Sequence, residues 1–215
     1  MKHATKRGLL LSSCLALIAG FVDAIGFIET GGLFVSFMSG NSTQAGVDVF
    51  DGNAHIAILS AYLIVAFVVG VTIAGAVAAR TRDHRPHVVG GAAVALVAVA
   101  VLDFAGAGSP WAYGLVSAVM GAINTLYLAD GRARIAITYA TGTLVSLGLA
   151  LAALVTGGSR TAWHRPLLLW GSLAVGAVGG AAAHQLGTAL SLLAAAGILA
   201  ALAALIVTSR HRHGN

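Results

Sequence analysis

Apolar runs of about the length that crosses a bilayer recur along this chain, at 8–28, 54–79, 87–104, 111–129, 166–184 and 186–208, with short basic clusters between them. A hydrocarbon core about 30 Å thick takes roughly 20 helical residues to cross. Lipid offers backbone groups no partners, so spans of this kind must be helices. The expected fold is all-α: a polytopic membrane bundle of six transmembrane helices plus two re-entrant or broken helices. Composition agrees, with 58% hydrophobic and 9% charged residues, against about 25% charged in a soluble domain. The 215 residues make one membrane domain with no room for a soluble one.

Two further segments, 33–50 and 135–156, are apolar but carry polar residues that a plain span would not concentrate. The first lies within GGLFVSFMSGNSTQAG, residues 31–46, where Ser36, Ser39, Asn41, Ser42, Thr43 and Gln44 surround Gly40. Each hydroxyl or amide needs a partner in hydrocarbon, so the stretch reads as a broken helix or hairpin with its polar turn inside the protein. A fainter copy, ARIAITYATGTLVSLG, occupies 133–148. Aligning Gly40 with Gly142 pairs Val35-Ser36-Phe37 with Ile137-Thr138-Tyr139, and Ser39 with Thr141. With one insertion or deletion, residues 19–24 match 120–125 and place Asp23 on Asn124. The chain therefore divides into a first repeat, 1–108, with a hairpin at 31–50, and a second, 109–215, with a hairpin at 133–156. The start MKHATKR-GLLLSSCLALIAG imitates a signal peptide, but a segment with an internal twin is expected to be retained.

Charge discriminates between topologies. If neither uncertain segment crosses and the N-terminus is cytoplasmic, all twelve Lys and Arg lie inside, while Glu29, Asp48, Asp51 and Asp103 lie outside. If both cross, Arg80, Arg82, Arg85, Arg132 and Arg134 move outside. The positive-inside bias selects the first arrangement, which puts both termini in the cytoplasm. Three spans per half then makes the halves inverted, a construction that recurs in transporters, with interrupted helices near the midplane. Gly70/Ala74 and Gly176/Gly180 are small-xxx-small pairs suited to close helix packing; a dimer face is the other use of such pairs.

Asp23 is the acidic residue deepest in an expected span. A carboxylate there is costly and needs a partner or water. The expected pathway for a substrate or ion comprises Asp23, Ser36, Ser39, Gly40, Asn41, Thr43, Asn124, Thr138, Thr141 and Gly142, with the two glycines acting as hinges. Otherwise Asp23 is a clamp accepting hydrogen bonds from Ser39 or Asn41. His55 and His184 fall near the outer ends of corresponding spans; the other histidines add charge to basic clusters. The sequence carries no metal-ligand spacing, phosphate-binding loop or nucleophile motif, and Cys14 is a lone thiol. No cofactor, metal or catalytic residue is expected, and the dispersed basic residues do not suit nucleic acid. The expected partners are the lipid bilayer and a small solute or ion, with a homo-oligomer left open. These features point to a channel or secondary transporter for a small solute. The alternative is a non-transporting binding or assembly component, with an intramembrane enzyme behind both.

The block Gly20–Ala24, then GGLFVSFMSGN at 31–41, and TYATG at 138–142 resemble the YoaK-like family of bacterial membrane proteins. The resemblance covers nearly the whole chain. It implies a multi-pass protein of the bacterial plasma membrane and supplies no substrate. Ala140 stands where Val is expected in many relatives.

Overall fold

The computed structural model describes residues 6–81, 83–126, 128–129, 132–133 and 137–211. The chain is helical: α1 (Lys6–Glu29), α2 (Met38–Asp51), α3 (Ala54–Arg80), α4 (Arg85–Phe104), α5 (Tyr113–Ile123), α6 (Ala140–Val155), α7 (His164–His184) and α8 (Thr188–His211). A 3-10 turn, Pro110–Ala112, leads into α5. Two two-residue strands, β1 (Leu128–Ala129) and β2 (Arg132–Ala133), pair antiparallel, with Leu128 opposite Ala133.

Among the described residues, five helices are long and apolar enough to cross a membrane: α1, α3, α4, α7 and α8. The expected span at 111–129 is shorter as a helix, because α5 stops at Ile123. Asn124, Thr125 and Leu126 instead make tight bonds to carbonyls three residues back. The Asn124 amide also caps Met120 O at 2.9 Å, and the Thr125 hydroxyl caps Ala122 O at 2.8 Å. Such side chains offer the backbone an alternative to the helix. With its 3-10 turn, α5 covers about 21 Å at 1.5 Å per residue. Residues 127, 130–131 and 134–136, which include the start of the second expected hairpin, lie outside the described residues.

Packing pairs α1 with α7, α3 with α5 and α4 with α8; α2 lies on α3 and α6 on α7. Glycines make the closest crossings. A Cβ on Gly176 or Gly180 would overlap the carbonyls of Leu17 and Phe21, and one on Gly20 would overlap Leu173 O. On the other pair, Gly70 meets Ala118 O and Gly121 meets Phe67 O in the same way. The Ser117 hydroxyl ties α5 to α3 through Leu63 O at 2.8 Å. The small-xxx-small faces are thus spent inside one chain. The core behind them is built from Leu15, Ile18, Leu63, Leu96, Met120 and Leu199, all fully buried.

Side-chain bonds fix which helix ends lie together. Glu29 Oε1, at the end of α1, accepts from His184 Nε2 at 2.6 Å and Thr188 Oγ1 at 2.7 Å. Asp103, at the end of α4, accepts from Ala189 N–H at 3.1 Å. Trp111, before α5, packs on His55 and Tyr62 of α3. At the other end, His84 Nε2 lies 2.8 Å from Thr125 O. So α1 ends where α5 begins, and α5 runs toward the His84 end.

Candidate functional site

After Glu29 the chain turns back along α1 rather than leaving it. Thr30 builds the turn: its Oγ1 accepts from Leu33 N–H at 3.1 Å and lies 2.7 Å from Gly26 O. Gly31 and Gly32 adopt positive φ of 74° and 114°, which glycine reaches without penalty. Residues 33–36 then lie along α1 over Gly26, where a Cβ would come within 2.6 Å of Val35. Their amide protons, barred from helix or sheet, all go to side chains. Leu33 donates to Thr30, and Phe34 to Asn41 Oδ1 at 2.8 Å; Val35 and Ser36 both donate to Asp23 Oδ1 at 2.8 Å. Asn41 completes its hold by donating Nδ2–H to Phe34 O at 2.6 Å. Unpaired buried amides are expensive, so these side chains make a non-helical segment tolerable against α1. Phe27, Phe34 and Phe37 cover it, with ring centroids 4.8 and 5.2 Å apart.

The second half repeats the device with a neutral group. Asn124 Oδ1 accepts from Thr138 N–H at 3.1 Å, and its Nδ2 donates to Thr138 Oγ1 at 3.0 Å. In both halves a short helix follows the clasp, and its first turn seats an aromatic ring on a glycine. Phe37 packs on Gly40, where an added Cβ would lie 2.6 Å from the ring, and Tyr139 lies tighter still on Gly142.

Two sequence expectations are corrected here. Gly40 and Gly142 are not hinges of unusual conformation: both are helical and absent from the positive-φ glycines, and close ring packing is what demands glycine. The donors to Asp23 are the backbone of Val35 and Ser36, not the side chains of Ser39 or Asn41, because an extended segment has free amides and a helix does not. Among the described residues the ten pathway candidates fall into separate groups. Asp23, Ser36 and Asn41 share the first clasp, while Asn124 and Thr138 form the second. Ser39, Thr43 and Thr141 are exposed, and the Thr43 hydroxyl turns back to Ser39 O at 3.1 Å. Among the described residues the clasps are not bonded to one another, and α2 and α6 form no substantial interface.

Other polar contacts had little signature in the chain. Asp48 is buried and held by Gln44 at 2.8 Å and Asn53 at 3.0 Å. The Glu29–His184 pair joins residues far apart in sequence. The sequence puts His55, His184 and Glu29 at the same end of the bundle, but not the contacts of Glu29 with His184 or of Trp111 with His55.

Comparison with known proteins fits this architecture. A family model described as "Protein of unknown function (DUF1275)" matches residues 11–205. A "UPF0700 transmembrane protein RA0705" from Rhizobium meliloti (strain 1021) is 33% identical over 176 residues, which is 81% of this chain and 75% of the relative. No solved structure matches. The chain, a multi-pass helical membrane protein, belongs to the DUF1275 family.

Proposed function

We propose that this protein is a channel or secondary transporter for a small solute, built as a 3+3 inverted repeat of 1–108 and 109–215 in a bacterial plasma membrane with both termini cytoplasmic. The observation that carries the reading is the pair of clasps. Asp23 holds Val35 and Ser36, and Asn124 holds Thr138, each at the head of a short helix. Helices of 14 and 16 residues cover about 21 and 24 Å, less than a hydrocarbon core. The packing pairs support the repeat: exchanging the halves turns α1–α7 into α3–α5 and leaves α4–α8 unchanged. The same exchange carries the Gly176–Leu17 approach onto Gly70–Ala118. Inversion is supported because α1 and α5 run in opposite directions. In transporters built this way the interrupted helices lie at the solute site.

The residues bet on to contact the solute are Asp23, Ser36, Asn41, Asn124 and Thr138, with Ser39, Thr43 and Thr141 on the exposed helix faces nearby. Chemistry on the solute forms no part of the proposal. One observation favours the second reading, a non-transporting binding or assembly component: Asp23 Oδ1 is already occupied by two backbone amides. Flux separates the two. Proteoliposomes are challenged with a panel of monovalent ions, ammonium, urea and glycerol, and volume change is followed by light scattering. Transport predicts at least one solute entering faster than into empty vesicles, with Asp23→Asn altering that rate. Vesicles no more permeable than empty ones across the panel would reject it.

A further inference from the structure

A groove of about 400 Å³ opens on the outer surface between α3, α4 and α5, and its wall is almost wholly apolar. On α4 its exposed lip is His87, Gly91, Val94 and Ala98, and the buried Val88 and Ala95 line it more deeply. Its floor includes Gly70 and Ala118, the pair whose backbones nearly touch. From His87 to Ala98 the groove runs about 16 Å, at 1.5 Å per residue. That is about half of a 30 Å hydrocarbon core, the depth of one leaflet. It begins where charge gathers. His87 lines its mouth, and Arg80 follows one turn after the lining residue Val77. Asp83 is engaged by Arg85 at 2.8 Å, and among the described residues no carboxylate pairs with Arg80.

A groove one leaflet deep, apolar along its length and with Arg80 beside its mouth suits one chain of a lipid. We infer that the groove is a site for one acyl chain of an anionic phospholipid, with the headgroup phosphate at Arg80 and His87. A basic pocket between membrane helices, at the end of the bundle carrying the cations, is suited to such headgroups. The site is distinct from the clasps and does not depend on transport.

The test reconstitutes the full chain in vesicles of equal phosphatidylglycerol and phosphatidylethanolamine, extracts it in mild detergent and weighs the retained lipid by native mass spectrometry. Phosphatidylglycerol should be retained over phosphatidylethanolamine by about fivefold, the factor that one basic residue, Arg80, contributes near a membrane surface. Arg80→Gln with His87→Gln should abolish that preference while lipid is still retained. Gly91→Leu should lose the bound lipid. A Cβ at Gly91 meets nothing within 4 Å, so this variant should fold, and an unchanged melting point verifies that it has. Ala98→Phe is a second block further along the groove. Equal retention of the two lipids by the unaltered chain, or full retention by folded Gly91→Leu, overturns the inference. So does a dimer that Gly91→Leu breaks, since the groove would then be covered by a second copy.

Discussion

Replacing Asp23 separates the part it plays in the fold from any part it plays in flux. Its Oδ1 accepts two amide protons, from Val35 and Ser36, both at 2.8 Å. In Asp23→Ala both donors lose their acceptor in a buried segment, where each unsatisfied group costs about 1–3 kcal/mol. The total is about 2–6 kcal/mol. For a chain of this size a loss of 1 kcal/mol lowers the melting temperature by about 2–4 °C, so the midpoint in detergent should fall by roughly 4–24 °C. In Asp23→Asn an oxygen remains to accept both bonds, as Asn124 Oδ1 does for Thr138. Only the charge assistance is lost, about 1 kcal/mol per bond, and this is offset by removing a costly carboxylate from the span. That variant should stay within roughly 8 °C of the parent and above the alanine variant. Tryptophan fluorescence during heating reads both. An alanine variant as stable as the parent would refute the clasp as a structural element.

Adding side chains at the helix crossings should be far worse than adding them elsewhere. Gly176→Leu or Gly70→Leu drives carbon into the carbonyl of Leu17 or Ala118; overpacking of this kind costs typically 1–3 kcal/mol or more, seen as loss of the monodisperse peak on size exclusion. Gly148→Leu, where an added Cβ meets nothing within 4 Å, should leave that peak unchanged. Gly142→Ala should lower stability through displacement of the Tyr139 ring, and Tyr139→Ala in the same chain should restore part of it in a thermal melt. A double-mutant cycle on Glu29→Gln and His184→Gln should give a coupling of about 1 kcal/mol or less, because both side chains are about a quarter exposed and exposed pairs are worth little.

Much of this fold was legible in the residues because hydrocarbon leaves so few options. Long apolar runs had to become helices, and the polar interruptions at 31–46 and 133–148 had to be places where helices break. The repeat read from Gly40 and Gly142, with one insertion or deletion, also sets Asp23 on Asn124, and the two perform the same task. What the register could not convey is why those glycines are there. A glycine under an aromatic ring three residues earlier leaves the same mark in sequence as a glycine at a turn, and only coordinates distinguish them. The partners of Asp23 were missed for a related reason. Backbone amides have no letter in a sequence, so hydroxyls nearby drew attention that belonged to Val35 and Ser36. The early end of α5 had a signal that went unread: Asn124-Thr125 pairs two residues whose side chains cap their own helix.

The central claim is that α2 and α6 dip into the membrane from opposite faces and return to the face they left. It is tested most directly by placing single cysteines at Asp51, where α2 ends, and at Arg160, beyond the end of α6, in a chain carrying Cys14→Ser, and treating intact cells with a membrane-impermeant maleimide. The account predicts that Asp51→Cys is labelled from outside and Arg160→Cys only after the cells are opened. Labelling of Asp51→Cys from the cytoplasmic side alone would mean that α2 passes through the bilayer, and would contradict it.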